Sequence, residues 1–273
     1  MTFLNMKKPP IFFDIDGTLL DTSHELPESA RKRLSAGFES VTKEPFLSSF
    51  DWPVHAGSTD LGVVEGLLIS LYPDKDSSEI YLLSMNVLKA MDAYYINNSP
   101  EDIREAVFDD IVPGLTQLKE LGYPLGIVTG NTDSVAKEKL SRAGLIEMFD
   151  SDLYFTGEME STRTELLEKA SLRSNGISEP TFFHTIYIAD TVRDLEETAR
   201  VHEYNRWLNQ QILFVYLRNR SWYDQHNRKS ELVSNLSWSN RGKLRIYTFD
   251  RLTDLVPIID ERENYGKYGI ERF

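Results

Sequence analysis

The chain contains no cysteine, no apolar run long enough to cross a bilayer, and fewer basic than acidic side chains. Without cysteine, disulfides, thiolate catalysis and Cys-ligated metal sites are all excluded. A reducing cytosol fits, and a cytoplasmic location is the expectation. A membrane span needs about 18 or more consecutive apolar residues, and no stretch approaches that, so no membrane association is expected. The apolar run after Lys7, Lys8, Pro9 and Pro10 contains Asp14 and Asp16 and leads into no small-residue cleavage site, so it reads as a strand rather than a signal peptide. With 30 Lys+Arg against 43 Asp+Glu and a net charge of −13, nucleic acid is not an expected partner. A small phosphorylated metabolite remains compatible, because a metal and a few local cations can capture it whatever the sign of the whole surface. The 273 residues, 41% hydrophobic and 27% charged, can bury a sizeable core and suit one large domain or one domain with an insertion.

What is present is concentrated near the start. Ile11-Phe12-Phe13-Asp14-Ile15-Asp16-Gly17-Thr18 places two carboxylates two residues apart at the end of an apolar run, directly before a glycine. Residues i and i+2 of a strand share a face, so Asp14 and Asp16 are expected on the same side, with Gly17 letting the chain turn away. Two acids so placed repel unless a cation lies between them. A hard divalent ion such as Mg²⁺ takes oxygen ligands of this kind, which suggests metal-assisted chemistry on a phosphate. The alternative is a plain turn after a buried strand, with acids that favour turns.

Downstream, residues 27–108 carry helical signals. Ser58-Thr59-Asp60 is placed to cap a helix with Leu61, Val64, Leu67, Leu68 and Leu71 on one stripe, closed by Pro73. A second helix, about 78–97, has the stripe Ile80, Leu83, Val87, Met91 and Tyr94; both stripes read as core. After Pro113-Gly114 a helix is expected over 115–121, then a strand over 123–129. Next come a helix over 134–143, a short strand over 153–155, and a helix over 162–172 whose Thr162-x-x-Glu165 reads as a capping box. A strand over 185–189, a helix from about 194, strands over 212–217 and 244–249, and a helix over 252–259 complete the series. Alternating strand and helix is the grammar of an α/β fold with a parallel sheet. Ligands of such sheets bind at the carboxyl ends of strands, so Asp14, Thr129 and Asp190 are expected to converge on one crevice.

With these residues in view, the chain resembles the haloacid dehalogenase superfamily. Asp14-Ile15-Asp16-Gly17-Thr18 resembles its first motif, Ile127-Val128-Thr129-Gly130-Asn131 its second, and Ile188-Ala189-Asp190-Thr191-Val192-Arg193-Asp194 its fourth. The resemblance implies a Rossmann-like parallel sheet core with helices on both faces, an aspartyl-phosphate intermediate on Asp14, and Asp16 as acid and then base. In the family's dehalogenases the second acid is absent, so Asp16 points to phosphoryl rather than halide transfer. Mg²⁺ would be held by Asp14, the Asp16 carbonyl, Asp190 and Asp194, and the phosphoryl oxygens by Thr129, joined by backbone N–H groups near Asp16, Gly17 and Asn131, with Gly130 also at the phosphate. Thr129 as a strand-end residue and Asp194 as a helix-terminal acid are the duller alternatives.

The third motif departs from the family, which usually has a lysine at a helix start. Here Arg163 occupies that place; its guanidinium is always charged and binds phosphate bidentately. Lys169 is the rival, about 9 Å further along a helix at 1.5 Å per residue. A purely surface role for Arg163 is the third option.

The resemblance also implies an inserted all-helical cap domain of the C1 type over 23–111, with the core formed by 1–22 and 112–273. Val54-His55-Ala56-Gly57-Ser58-Thr59-Asp60 resembles the Gly-x-Thr-Asp segment of phosphoglycolate phosphatase-like members, which makes His55 and Ser58 candidates for touching the leaving group, though a cap-core or surface role fits His55 as well. Residues 219–241, with Trp222, Tyr223, His226 and Arg228, and the polar tail 261–273 receive no function. Three readings follow: a Mg²⁺-dependent hydrolase of a small phosphomonoester, a phosphoryl-transferring enzyme such as a sugar-phosphate mutase, or a non-catalytic binding or regulatory protein that keeps the fold.

Overall fold

The computed structural model describes residues 8–21, 26–46, 58–175, 183–204, 211–218 and 244–266. Strands β1 (Ile11–Phe13), β2 (Leu125–Val128), β3 (Tyr154–Phe155), β4 (Phe183–Ala189), β5 (Gln211–Arg218) and β6 (Leu244–Phe249) form one sheet in the order β3-β2-β1-β4-β5-β6. Every pairing is parallel. The helices are α1 (Leu26–Thr42), α2 (Asp60–Leu71), α3 (Ser77–Asn98), α4 (Ile111–Glu120), α5 (Asp133–Arg142), α6 (Arg163–Asn175), α7 (Val192–Tyr204) and α8 (Leu252–Gly266). The expected α/β class with a parallel sheet and a helical insertion is what the chain forms.

Alternation along β1 sorts the core into two layers. Ile11 and Phe13 point into a cluster with Leu115, Leu118, Ala136, Leu140, Leu252 and Leu255, contributed by α4, α5 and α8. Phe12 points the other way, among Leu166, Leu167, Ala170 and Val201 of α6 and α7. A strand covered on both faces needs an unbroken apolar run, and all of β1 and β2 are buried. Asp14, two residues beyond Phe12, therefore starts on the α6 side of the sheet.

The insertion builds a core of its own from Leu34, Phe38, Leu61, Val64, Leu68, Val87, Leu88 and Met91 of α1, α2 and α3. Thr59 caps α2 by accepting from the Gly62 N–H, as the sequence suggests. On α3 the buried stripe is Ile80, Ser84, Val87, Leu88, Met91 and Tyr95; Tyr95, not the expected Tyr94, completes it, because four helical steps from Met91 return to the same face. The two strands of chain joining insertion to sheet run together: Leu20 bridges Val107 antiparallel, and the Asp21 N–H donates to the Ala106 carbonyl at 2.6 Å. Ile103, Phe108 and Ile111 already pack in the sheet cluster.

Two boundaries differ from expectation by more than three residues. Helix α4 begins at Ile111, ahead of Pro113-Gly114, not after them; a proline in the first turn loses no hydrogen bond, since the N–H there has no partner within the helix. Helix α8 runs on to Gly266 through Pro257, past the expected end near residue 259. The capping box at Thr162 forms as read, with the Thr162 N–H donating to Glu165 and the Glu165 N–H to Thr162 Oγ1.

Where α1 crosses α3, the contact leaves no room for a methyl group. A Cβ on Gly37 would lie 2.4 Å from Met91 Cγ and 2.9 Å from the Met91 nitrogen. Gly37→Ala, normally favourable in a helix, is expected to lower stability by about 1–3 kcal/mol through overpacking; urea unfolding checks this, and a gain in stability refutes the close crossing.

Candidate active site

The strand order reverses between β1 and β4, which places a crevice beyond the carboxyl ends of these neighbouring central strands. Asp14 is the first residue past β1 and its N–H donates to the Ile188 carbonyl at 2.9 Å. Asp190 is the first past β4, and Asp194 lies in the first turn of α7. One carboxylate oxygen from each of Asp14, Asp190 and Asp194 lies within 4.8 Å of the others, and all three residues are buried. Gly17, at φ +79, lets the loop after β1 press against this group, since a Cβ there would stand 2.2 Å from Asp190 Oδ2.

So many acids in one buried place resist ionisation. Burial pushes Asp14 up to about 6, with Arg163 opposing and Asp194 and Asp16 adding to the rise. Asp190 goes well above the usual carboxylate range, through burial first and then the charges of Asp14 and Asp194. Asp194 is better satisfied. The Tyr187 hydroxyl donates to it at 2.8 Å, the Thr191 hydroxyl donates to its other oxygen, and Arg163 Nε lies 3.4 Å away.

Arg163 is the cation of this site. Its side chain is 3% exposed, and Nη1 lies 3.3 Å from Asp14 Oδ1 and 3.0 Å from the Val128 carbonyl. The capping box sets Arg163 as the first residue of α6, where a cation opposes the helix dipole; the two carboxylates at that terminus offset this. Lys169 is half-exposed and pairs with Glu160, so of the two candidates for the third motif only Arg163 reaches Asp14.

Asp16 does not share the side of Asp14, contrary to expectation. β1 ends at Phe13, so strand alternation no longer applies two residues later. Asp16 faces α5, where Lys139 Nζ lies 2.7 and 2.6 Å from its two oxygens and Asn131 Nδ2 donates to it at 2.7 Å. Burial alone would raise Asp16; Lys139, Asn131 and Arg33 together outweigh it and hold Asp16 below its ordinary range. Thr129 is fully buried, and its Oγ1 accepts from Asn131 Nδ2 at 3.0 Å, which leaves its own hydroxyl proton for another acceptor.

The family model described as haloacid dehalogenase-like hydrolase matches residues 11–202, more than two thirds of the chain. The chain belongs to this family. Its fold is similar to that of β-phosphoglucomutase from Clostridium difficile (TM-score 0.58, 13% identity, covering 95% of this chain and 99% of that one). It is also similar to a predicted phosphatase from Clostridium acetobutylicum (0.55, 17%, 93% and 98%) and to CbbY from Rhodobacter sphaeroides in complex with phosphate (0.51, 14%, 92% and 96%). No curated protein sequence matches it.

In this haloacid dehalogenase-like hydrolase the insertion lies directly against the second-motif loop. The Asp60 N–H donates to the Gly130 carbonyl at 2.8 Å, and Thr132 Oγ1 donates to Asp92 of α3 at 2.6 Å. A Cβ on Gly130 would stand 2.1 Å from the Ser58 carbonyl, so Ser58 meets the loop through its backbone. His55 and residues 219–241 lie outside the described residues, as do 267–273 of the polar tail. Sequence reasoning missed Lys139 and Arg33, and took Asp60 only as part of the helix cap and of the Gly-x-Thr-Asp segment. Lys139 had a legible signal: it shares the stripe of Val135, Ala136 and Leu140 on α5 and is buried with them, a place where an unpaired lysine is rarely found. Among the described residues, no helix is long and apolar enough to cross a membrane.

Three hard oxygen donors converging from separate elements, with Asp14 and Asp190 raised by burial first and by neighbouring carboxylates second, suit a dication such as Mg²⁺, which would relieve the repulsion. Lys139 has a separate testable consequence. Asp16 is depressed in the fold, so its contribution to stability is present above its unfolded value and lost as pH falls through the folded one. Lys139→Met is expected to move the Asp16 titration upward in the metal-free protein, as followed by carboxyl ¹³C NMR; an unmoved midpoint would show that Lys139 does not set it.

Proposed function

We propose that this protein is a Mg²⁺-dependent hydrolase of a small phosphomonoester, working through an aspartyl-phosphate on Asp14. The observation that supports this best is the meeting of Asp14, Asp190 and Asp194 with the buried Arg163 at the carboxyl ends of β1 and β4. Asp14, Asp190, Asp194 and the Asp16 carbonyl would hold the metal, which, when bound, neutralises phosphoryl oxygens and keeps Asp14 ionised.

An Asp14 carboxylate oxygen attacks phosphorus, the ester oxygen leaves with the bonding pair, and water later cleaves the acyl phosphate to return Asp14 and inorganic phosphate. Arg163, always charged, offsets the charge gathering on the transferring group and holds Asp14 in place. Thr129, with the backbone N–H groups of Gly130 and Asn131, donates to the phosphoryl oxygens. Asp16 gives a proton to the leaving oxygen and then takes one from water. Paired with Lys139 it is ionised, ready for the second task; the first requires it to part from Lys139 and take up a proton.

Residues 23–111 form the cap in this reading, and closure of α1–α3 over the crevice excludes water from the acyl phosphate. The Gly57-Ser58-Thr59-Asp60 segment supports a substrate like that of phosphoglycolate phosphatases, with Ser58 and His55 near the leaving group. A cytoplasmic setting fits such a metabolite.

Phosphate release from a panel of phosphorylated metabolites with Mg²⁺ tests the reading. Asp14→Asn is expected to abolish turnover, and Arg163→Ala to cut kcat by about 10²-fold or more, with Arg163→Lys between. Conversion of a sugar phosphate to its isomer without phosphate release would favour the mutase reading, and neither outcome from any compound would favour a binding protein.

The metal reading has its own check. Asp14 is raised from 3.8 to about 6 in the fold, so the stability it contributes is full at low pH and is lost as pH rises through that window, and Asp190 acts in the same direction. The metal-free protein is therefore expected to melt at lower temperature as pH rises across this range, less so in Asp14→Asn. The gain in Tm on adding Mg²⁺ should grow over the same range, because the ion displaces protons. A gain independent of pH would count against these ligands.

A further inference from the structure

Arg33 lies on α1 of the insertion and is 5% exposed. Its Nη2 rests on both oxygens of Asp60, at 2.8 and 2.9 Å. Asp60 is in turn bound to the second-motif loop: its Oδ2 accepts from the Thr132 N–H at 3.3 Å, and its own N–H donates to the Gly130 carbonyl. The guanidinium is thus one side chain removed from the loop of Thr129 and Asn131, on the insertion's side of the crevice. It is close enough to Asp16 and Asp92 for its charge to favour both carboxylates.

The other terminal nitrogen of this guanidinium, Nη1, is buried and has no hydrogen-bond partner among the described residues. A buried charged donor without an acceptor has lost its water for no return, and such groups are rare in native folds unless something absent from the coordinates completes them. Asp60 does not consume the whole charge of Arg33. It sits in the first turn of α2, where the helix dipole and the Thr132 N–H share in stabilising it. An arginine also offers a planar fork of donors, and Asp60 occupies only one of its nitrogens.

We propose that Arg33 is a specificity-determining residue, whose free Nη1 binds a second anionic group on the part of the substrate that is not transferred. The inference rests on the phosphoryl reading of the crevice and narrows it to phosphomonoesters that carry a carboxylate or a second phosphate. The insertion supplies the contact, so selection and closure fall to the same element. Arg33 binds the anion through charge-assisted hydrogen bonds, for which carboxylate and phosphate oxygens fit the guanidinium better than a hydroxyl does.

Phosphonates, which are not hydrolysed, separate this from catalysis. Calorimetric titration with Mg²⁺ would compare ethylphosphonate, 2-hydroxyethylphosphonate, phosphonoacetate and ethane-1,2-bisphosphonate. The wild type is expected to bind at least one of the last two about tenfold more tightly than ethylphosphonate; the larger gap identifies carboxylate or phosphate as the second group. In Arg33→Gln that gap should fall to about twofold or less. If Arg33→Gln fails to fold because Asp60 is left buried and unpaired, Arg33→Gln with Asp60→Asn removes both charges together and serves in its place. No gap in the wild type, an equal gap for the hydroxyethyl compound, or a gap that survives the substitution overturns the proposal. Ethylphosphonate binding without a gap defeats this inference alone, whereas no binding by any phosphonate defeats the phosphoryl reading and this inference with it.

Discussion

Three carboxylates buried at one end of a parallel sheet cannot all be ionised without compensation, and the arrangement around them answers that repulsion. Arg163 supplies one positive charge from the start of α6, bridging Asp14 and Asp194. Tyr187 and Thr191 satisfy Asp194 further. Asp14 and Asp190 remain raised, by burial first and by the neighbouring carboxylates second. Removing one partner from a buried ion pair costs about 3–5 kcal/mol, because the other charge is left stranded. The elements that meet here, β1, β4, α6 and α7, are therefore tied to one another by electrostatics as well as by apolar packing.

The two acids of the first motif illustrate how strongly surroundings override sequence distance. Asp14 faces α6 and is pushed up by its burial against the opposing charge of Arg163; Asp16 faces α5 and is held down by Lys139 and Asn131. Two residues apart, they lie in opposite electrostatic environments. Lys139 also lies 5.7 Å from the Tyr95 ring of α3, so the network around Asp16 reaches the insertion. Thr132 adds a second link through Asp92 and Asp60. The loop after β2 is thus joined on one side to the first motif and on the other to the insertion.

Much of the fold was legible because its signals are local. Apolar runs ending in Asp14, Thr129 and Asp190 mark strands, and their order with intervening helical stripes implies parallel pairing. Caps at Thr59 and Thr162 were readable from residue type and spacing. The errors were local too. Pro113 was read as preceding a helix it belongs to, and Tyr94 was placed on a face that Tyr95 occupies. At the site, the acids and Arg163 could be named from motif positions; Lys139 and Arg33 lie outside any motif, and although the apolar stripe around Lys139 hinted at a buried partner, only the fold supplies Asp16 and Asp60 as those partners.

The chain alone determined that a carboxylate-rich crevice would form at strand ends, since alternation, apolar runs and motif order are properties of neighbouring residues. It also offered Arg163 and Lys169 as third-motif cations, beside a purely surface role for Arg163. Only the tertiary structure showed which of the two side chains reaches Asp14, by bringing the first residue of α6 against it and leaving Lys169 at the surface. It alone set Asp16 against Lys139 and left a nitrogen of Arg33 without an acceptor among the described residues. The reason is physical: periodicity specifies which face a residue occupies, whereas ion pairing and burial depend on which other element that face meets.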